Sequence, residues 1–197
     1  MQIDYNWVAF FSQSGTEIQN IMDRAGIRPA AIITNKQDDE GLNPFLKKSK
    51  DSGSLNWIIL PKNPVLKDYR KALKGIDDPL ITLHGFLRII PKEICKKYKN
   101  IYNLHPGLIT EYPELKGKDP QKRAIEAGHK IAGAVIHKVT PTVDDGEIVK
   151  SYAINIGGLH EEQVVRELHC LGSIMWYQFF ETYEHRRNSK NNRTTVS

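Results

Sequence analysis

A chain of 197 residues, 40% hydrophobic and 26% charged, has the length and balance of one soluble globular domain. Its longest apolar runs, Trp7 to Phe11 and Trp57 to Leu60, are strand-length and far short of the ~20 residues that span a bilayer, so no membrane partner is expected. The formal charge of +5 comes partly from Arg186, Arg187, Lys190 and Arg193, and no basic stripe is interleaved with aromatics, so nucleic acid is not the expected partner.

The opening residues, Met1 to Tyr5, lack the basic-then-apolar pattern of a secretory signal. Cys95 and Cys170 are too few and too far apart for a disulfide framework or a zinc site. Two reduced thiols in a cytoplasmic protein are expected, with no metal.

Asn6 to Ser12 reads as an apolar strand broken by Gln13-Ser14-Gly15, and Thr16 to Ala25 as a helix with Ile18, Ile21 and Met22 at helical spacing. Pro29 to Thr34 is a second strand, Asn43 to Lys50 a helix, and Leu55 to Leu60 a third strand. Val65 to Lys74 carries Leu66, Tyr69 and Leu73 on one helical face, Pro79 to Leu83 is a fourth strand, and Pro91 begins a helix to Tyr98. These strands are apolar throughout rather than alternating, which marks a parallel sheet covered on both faces. Ligands of such sheets bind at the carboxyl ends of the strands, where the turns Ser12 to Gly15, His84 to Arg88 and Asn103 to Gly107 would converge.

Further on, Asp119 to Ala127 reads as a helix. Ile131 to Thr140 and Glu147 to Ile156 read as two strands flanking a turn at Asp144-Asp145-Gly146. Leu159 to Tyr183 is a long helix with Val164, Leu168, Leu171, Met175 and Phe179 on one side. The expected fold is a single Rossmann-like α/β domain over 1–184. It has a mostly parallel sheet flanked by helices and an antiparallel C-terminal strand pair, followed by a basic, disordered tail over 185–197.

Three groups carry chemistry. Ser12 to Thr16 lies between strand and helix and offers main-chain N–H groups to an anion, though one glycine there also makes a plain tight turn. Asn103 and His105, two apart on a short strand, point the same way, and Pro106 keeps His105 extended. An amide can donate to a developing oxyanion, an imidazole can move a proton near neutral pH, and a carboxylate such as Asp144 can orient that imidazole. Those are the parts of acyl transfer to an amine. Taken singly, each residue would be structural.

The run Gly85 to Ile90, then Asn103-Leu104-His105-Pro106-Gly107-Leu108, Tyr112 to Leu115, Gly133 to His137 and Val143-Asp144-Asp145-Gly146 resembles the folate-dependent formyltransferases. The likeness is greatest to the small single-domain branch acting on glycinamide ribonucleotide in purine synthesis, and covers Trp7 to the last helix. Relatives that formylate methionyl-tRNA carry an extra C-terminal domain, for which this length leaves no room. The resemblance implies formyl transfer from 10-formyltetrahydrofolate, as co-substrate, to a primary amine, by a monomer or homodimer. Alternatives are another acceptor, an amino sugar nucleotide or a modified nucleoside, or a folate-binding protein without catalysis.

By resemblance Asn103, His105 and Asp144 are catalytic, with His137 lining the pocket. Leu83, Leu87, Arg88, Ile89, Ile90, Ile94, Val139, Thr140 and Asp144 would bind the folate, with Leu83, Ile89, Ile94 and Val139 as apolar walls. Gly15, Thr16, Glu17, Gly85 and Pro106 would meet the acceptor. Two departures stand out. The family's phosphate loop has Gly-Ser-Asn where this chain has Gly15-Thr16-Glu17, whose charge is expected to repel a phosphate. The relatives' final helix contributes a carboxylate to the acceptor ribose, where this chain has Leu171, Gly172 and Ser173. The segment Lys116 to Pro120 is also longer than in the purine enzyme.

Overall fold

The computed structural model describes residues 6–194, with side chains through 183; the tail anticipated over 185–197 lies outside the fully described residues. Strand and helix alternate as β1 (Trp7–Phe11), α1 (Thr16–Ala25), β2 (Ala31–Thr34), α2 (Pro44–Ser52), β3 (Trp57–Ile59), α3 (Leu66–Ala72), β4 (Leu80–His84) and α4 (Lys92–Lys97). There follow β5 (Ile101–His105), a 3-10 turn (Pro113–Leu115), α5 (Pro120–Glu126), β6 (Ile131–Lys138), β7 (Ile148–Asn155) and α6 (Glu161–Thr194). One seven-stranded sheet has the order β3-β2-β1-β4-β5-β6-β7. The first five strands are parallel, and β6 and β7 run antiparallel to their neighbours.

This is the expected α/β architecture, and its strands are continuous apolar runs because both faces are covered. All residues of β1 and β4 are buried. On one face Trp7, Ala9, Phe11 and Tyr102 pack against Ile18 and Ile21 of α1 and Met175, Trp176, Phe179 and Phe180 of α6. On the other face Val8, Phe10, Ile81, Leu83 and Ile101 pack against Tyr69 of α3 and Ile94 of α4. The stripe expected on α6 omitted Trp176 and Phe180, which are wholly buried; Phe180 meets Trp7 edge-on and Trp176 at a tilt. Burying one such ring contributes about 2–3 kcal/mol.

Several boundaries differ by one or two residues. Asn43 caps α2, its side chain accepting from the N–H groups of Phe45 and Leu46, while Pro44 opens the helix. β4 extends to His84 because that residue pairs in register with Phe11 of β1. Strand order reverses between β1 and β4, the position where open α/β sheets form their ligand crevice. The loops leaving these two strands, Ser12 to Gly15 and Gly85 to Pro91, flank it and are tied by the Leu87 N–H donating to Ser12 Oγ at 2.9 Å. Among the described residues no helix is long and apolar enough to cross a membrane, and Cys95 and Cys170 are unpaired.

Candidate active site

β5 sits between parallel β4 and antiparallel β6, and this junction assembles the polar centre. Asn103 is in register with Leu83 on one side and His137 on the other, and His105 with Val135. The Asn103 amide nitrogen lies 3.2 Å from His137 Nε2. His137 Nδ1 donates to the Lys138 carbonyl at 2.8 Å, and its Nε2 also lies 3.3 Å from Asp144 Oδ1. A neutral His137 therefore accepts from the amide, whereas a protonated one donates to the carboxylate.

Asp144 reaches the centre from the loop joining β6 to β7. Its Oδ2 is 3.2 Å from His105 Nδ1 and accepts the Gly117 N–H at 2.9 Å. Burial alone would push its carboxyl up, but the hydrogen bond from His137, the charge of His105 and the Gly117 N–H outweigh this and hold it below the ordinary carboxylate value. Asp144 adopts a left-handed backbone with φ of 50°, which costs a non-glycine residue about 1 kcal/mol and aims the side chain inward. Beside it, Asp145 pairs with Lys116 at 2.6 Å.

His105 is almost fully buried, and both its nitrogens face oxygen acceptors: Asp144 Oδ2 and, at 2.9 Å from Nε2, the Leu115 carbonyl. Burial moves the imidazole below the ordinary histidine value, against the raising effects of Asp144 and the Leu115 carbonyl. Only the charged ring satisfies both acceptors, yet burial opposes the charge, so the second proton is one the ring can release.

These shifts have a consequence for stability. The ordinary values are 6.5 for the histidine and 3.8 for the aspartate. Both are lowered on folding, so the unfolded chain binds more protons, and stability falls as pH falls, first below the histidine value and then through the carboxylate range. The urea midpoint is expected to drop between pH 7.5 and 5.5, and to drop less in His105→Asn. An equal fall in both proteins would remove His105 as a cause.

The structure brings Asn103, His105 and Asp144 together and adds His137. It also supplies partners that spacing did not reveal. Leu115 and Gly117 engage His105 and Asp144 through main-chain groups. Arg123 of α5 donates to the Glu114, Leu115 and Lys116 carbonyls, holding that segment in place. The segment Leu115 to Gly117 thus lies over the polar centre.

The segment expected to bind folate is split. Leu83, Ile90 and Ile94 are core residues, and Val139 packs half-buried beside them. Leu87 and Ile89 are turned outward, 59% and 69% exposed, because Phe86 and Ile90 fill the inward positions of the loop. Ile89 is therefore not a buried wall, and a carboxylate there would meet water in the free protein. The Arg88 guanidinium donates to the Lys62 and Leu87 carbonyls, and the Thr140 hydroxyl to the Thr142 carbonyl.

The acceptor residues form the third part. Gly15, with φ of 73° and an added Cβ 2.4 Å from Leu46 Cδ1, begins α1, and Thr16 is exposed beside it. Gly85, also in the left-handed region, lies across from Gln13, and half-buried Pro106 follows His105. Glu17 is not directed at the Gly15–Thr16 turn, so the expected repulsion of a phosphate loses its simplest geometric basis. Its Oε2 accepts from Trp176 Nε1 at 3.1 Å and lies 3.1 Å from His84 Nδ1. His84 Nε2 is 2.8 Å from Thr82 Oγ1, which accepts from Trp7 Nε1 at 2.7 Å. With Trp7 donating to Thr82, Thr82 to His84, and His84 to Glu17, each donor in this chain has an acceptor.

A family model described as formyl transferase matches residues 6–174. The phosphoribosylglycinamide formyltransferase of Haemophilus influenzae is 33% identical over 152 residues, covering 70% of this chain and 67% of that protein. The trifunctional purine biosynthetic protein adenosine-3 of Drosophila melanogaster is 29% identical over 158 residues, 74% of this chain, which spans only 11% of that protein's length. The solved phosphoribosylglycinamide formyltransferase of Coxiella burnetii superposes with a TM-score of 0.78 at 27% identity, covering 93% of this chain and 88% of that one.

Proposed function

The chain belongs to the formyl transferase family, and on that premise we propose that it transfers a formyl group from 10-formyltetrahydrofolate to the primary amine of glycinamide ribonucleotide, a step of purine synthesis. The observation that carries this reading is the contact set among Asn103, His105, His137 and Asp144, all within 3.3 Å links at the carboxyl end of β5. The likeness to phosphoribosylglycinamide formyltransferases supports the acceptor.

In this mechanism the neutral amine attacks the formyl carbon. The carbonyl oxygen takes up negative charge, and the Asn103 amide and a proton on His105 stabilise it, each such donor contributing about 3 kcal/mol. Asp144 orients His105 and favours its charged form. Collapse breaks the bond from the formyl carbon to N10, which gains a proton as the amine loses one. The Leu115 carbonyl now occupies His105 Nε2, so the covering segment gives way for this nitrogen to reach the reacting oxygen. Leu87 and Ile89 offer apolar contact to the folate, with Arg88 and the Val139–Asp144 loop offering polar atoms.

The purified protein is expected to convert 10-formyltetrahydrofolate to the deformylated folate only when an amine acceptor is supplied. Equal consumption without amine would make it a hydrolase. Consumption with an amino sugar nucleotide or a modified nucleoside, but not with the ribonucleotide, would move the acceptor assignment. Folate binding with no consumption would leave a binding protein.

A further inference from the structure

We propose that Arg123 of α5 is a positioning residue for His105: it shares the Leu115 carbonyl with the imidazole, so that carbonyl can release the His105 N–H to the reacting oxygen without being left unpaired. This rests on the formyl-transfer reading. The Leu115 oxygen faces two donors, His105 Nε2 at 2.9 Å and Arg123 Nη2 at 2.9 Å. A carbonyl oxygen has two lone pairs, so neither donor excludes the other. Arg123 Nη2 also donates to the Lys116 carbonyl at 2.7 Å, and Nη1 to the Glu114 carbonyl. One planar fork thus holds three consecutive carbonyls. The Arg123 Nε–H is buried and, among the described residues, has no acceptor. The guanidinium forgoes one hydrogen bond in the pose that grips this segment.

The segment is also pinned from below. The Leu115 side chain is buried with Ile109, Ala124 and Val135, and Val135 is the register partner of His105, so Leu115 and His105 lie on one face of the sheet. A turn of the carbonyl therefore suffices to free Nε2, with the segment still resting on Arg123. Without Arg123, the Leu115 oxygen would have His105 as its one printed donor, and each release would strand a buried acceptor. Arg123 also acts on the imidazole through its charge. Burial pushes His105 down, Asp144 from the β6–β7 loop and the Leu115 carbonyl push it up, and His137 from β6 and Arg123 from α5 push it down. Removing the guanidinium withdraws a repulsion and leaves the carbonyl to His105 alone. Both changes make the ring hold its second proton more tightly.

The test compares the native chain with Arg123→Met, which keeps the length of the side chain without its N–H groups, and Arg123→Lys, which keeps the charge and donors without the fork. Amine-dependent deformylation is followed across pH, and the His105 ring is titrated by NMR in the free proteins, its signal assigned against His105→Asn. The maximal kcat of Arg123→Met should fall about tenfold or more, the cost of leaving a buried carbonyl unpaired. The KM values for amine and folate should be unchanged. The His105 titration, and with it the alkaline limb of the rate profile, should move to higher pH. Arg123→Lys should recover part of the rate and bring the titration back toward the native position. Thermal melts establish that the variants are folded, and Arg123→Lys carries the comparison if Arg123→Met is not. A fall in rate with the His105 titration unmoved would make Arg123 a merely structural anchor and overturn the proposal. Unchanged rates in both variants would overturn it as well, leaving formyl transfer standing. No turnover by the native chain with any amine would overturn the formyl-transfer reading and the proposal together.

Discussion

Alanine in place of Asn103, His105 or Asp144 is expected to lower the rate of amine-dependent deformylation by about 100-fold or more in each case. Asp144→Ala removes the most contacts, since one carboxylate faces His105 and His137 and accepts the Gly117 N–H. It also releases the Gly117 N–H, loosening one end of a segment that Arg123 still holds. His105→Ala removes the group that moves a proton, and leaves the Leu115 carbonyl to Arg123 alone. Because the three act as one unit, the double variant His105→Ala/Asp144→Ala should fall little below the worse single variant. Steady-state rates with the folate donor, alongside thermal melts to exclude unfolding, decide the matter. Near-normal rates in all three single variants would sink the assignment.

The parts of this site legible in the sequence were those carried by strands. Asn103 and His105 are two apart on β5, so their common direction follows from the period of an extended chain. The parallel core was legible because β1 and β4 are apolar at each position but Thr82 and His84. Those two exceptions were the visible trace of the Glu17 chain, but a Thr and a His in a buried strand do not say which side chain meets them. Glu17 read alone as a charge at a helix N-terminus. Its true partners, His84 and Trp176, lie 67 and 159 residues away, contacts that only the crossing of α1 and α6 over the sheet creates. The outward turn of Leu87 and Ile89 was likewise not legible, because a run of apolar residues on a connection does not declare which of them face the core. The cover from Glu114 to Gly117 acts through main-chain carbonyls and an N–H group, which every residue carries and no spacing announces.

Gly146→Ala should cost nearly as much activity as losing Asp144, although residue 146 makes no contact with the reacting groups. A Cβ there would lie 1.8 Å from the Lys138 carbonyl oxygen and 2.7 Å from its carbon. These are main-chain atoms at the end of β6, where the Lys138 N–H donates to the Glu147 carbonyl at 2.9 Å. No side-chain rotation relieves such a clash, so the backbone must part, and the loop that parts is the one holding Asp144 two residues earlier. That loop already carries the left-handed strain of Asp144 and a register irregularity between β6 and β7 at Ile136 and His137. Overpacking should lower stability by about 1–3 kcal/mol. The displacement need be only about 1 Å to separate Asp144 from both histidines, and misplacement on that scale can cost on the order of 100-fold. Gly158→Ala is the control: its φ of 82° strains an added side chain, but nothing lies within 4 Å of its Cβ. It should be destabilised by about 1 kcal/mol while keeping its rate. Full activity in Gly146→Ala, with the fold intact by melting, would mean that the Asp144 loop tolerates displacement, and would loosen the claim that its geometry sets the chemistry.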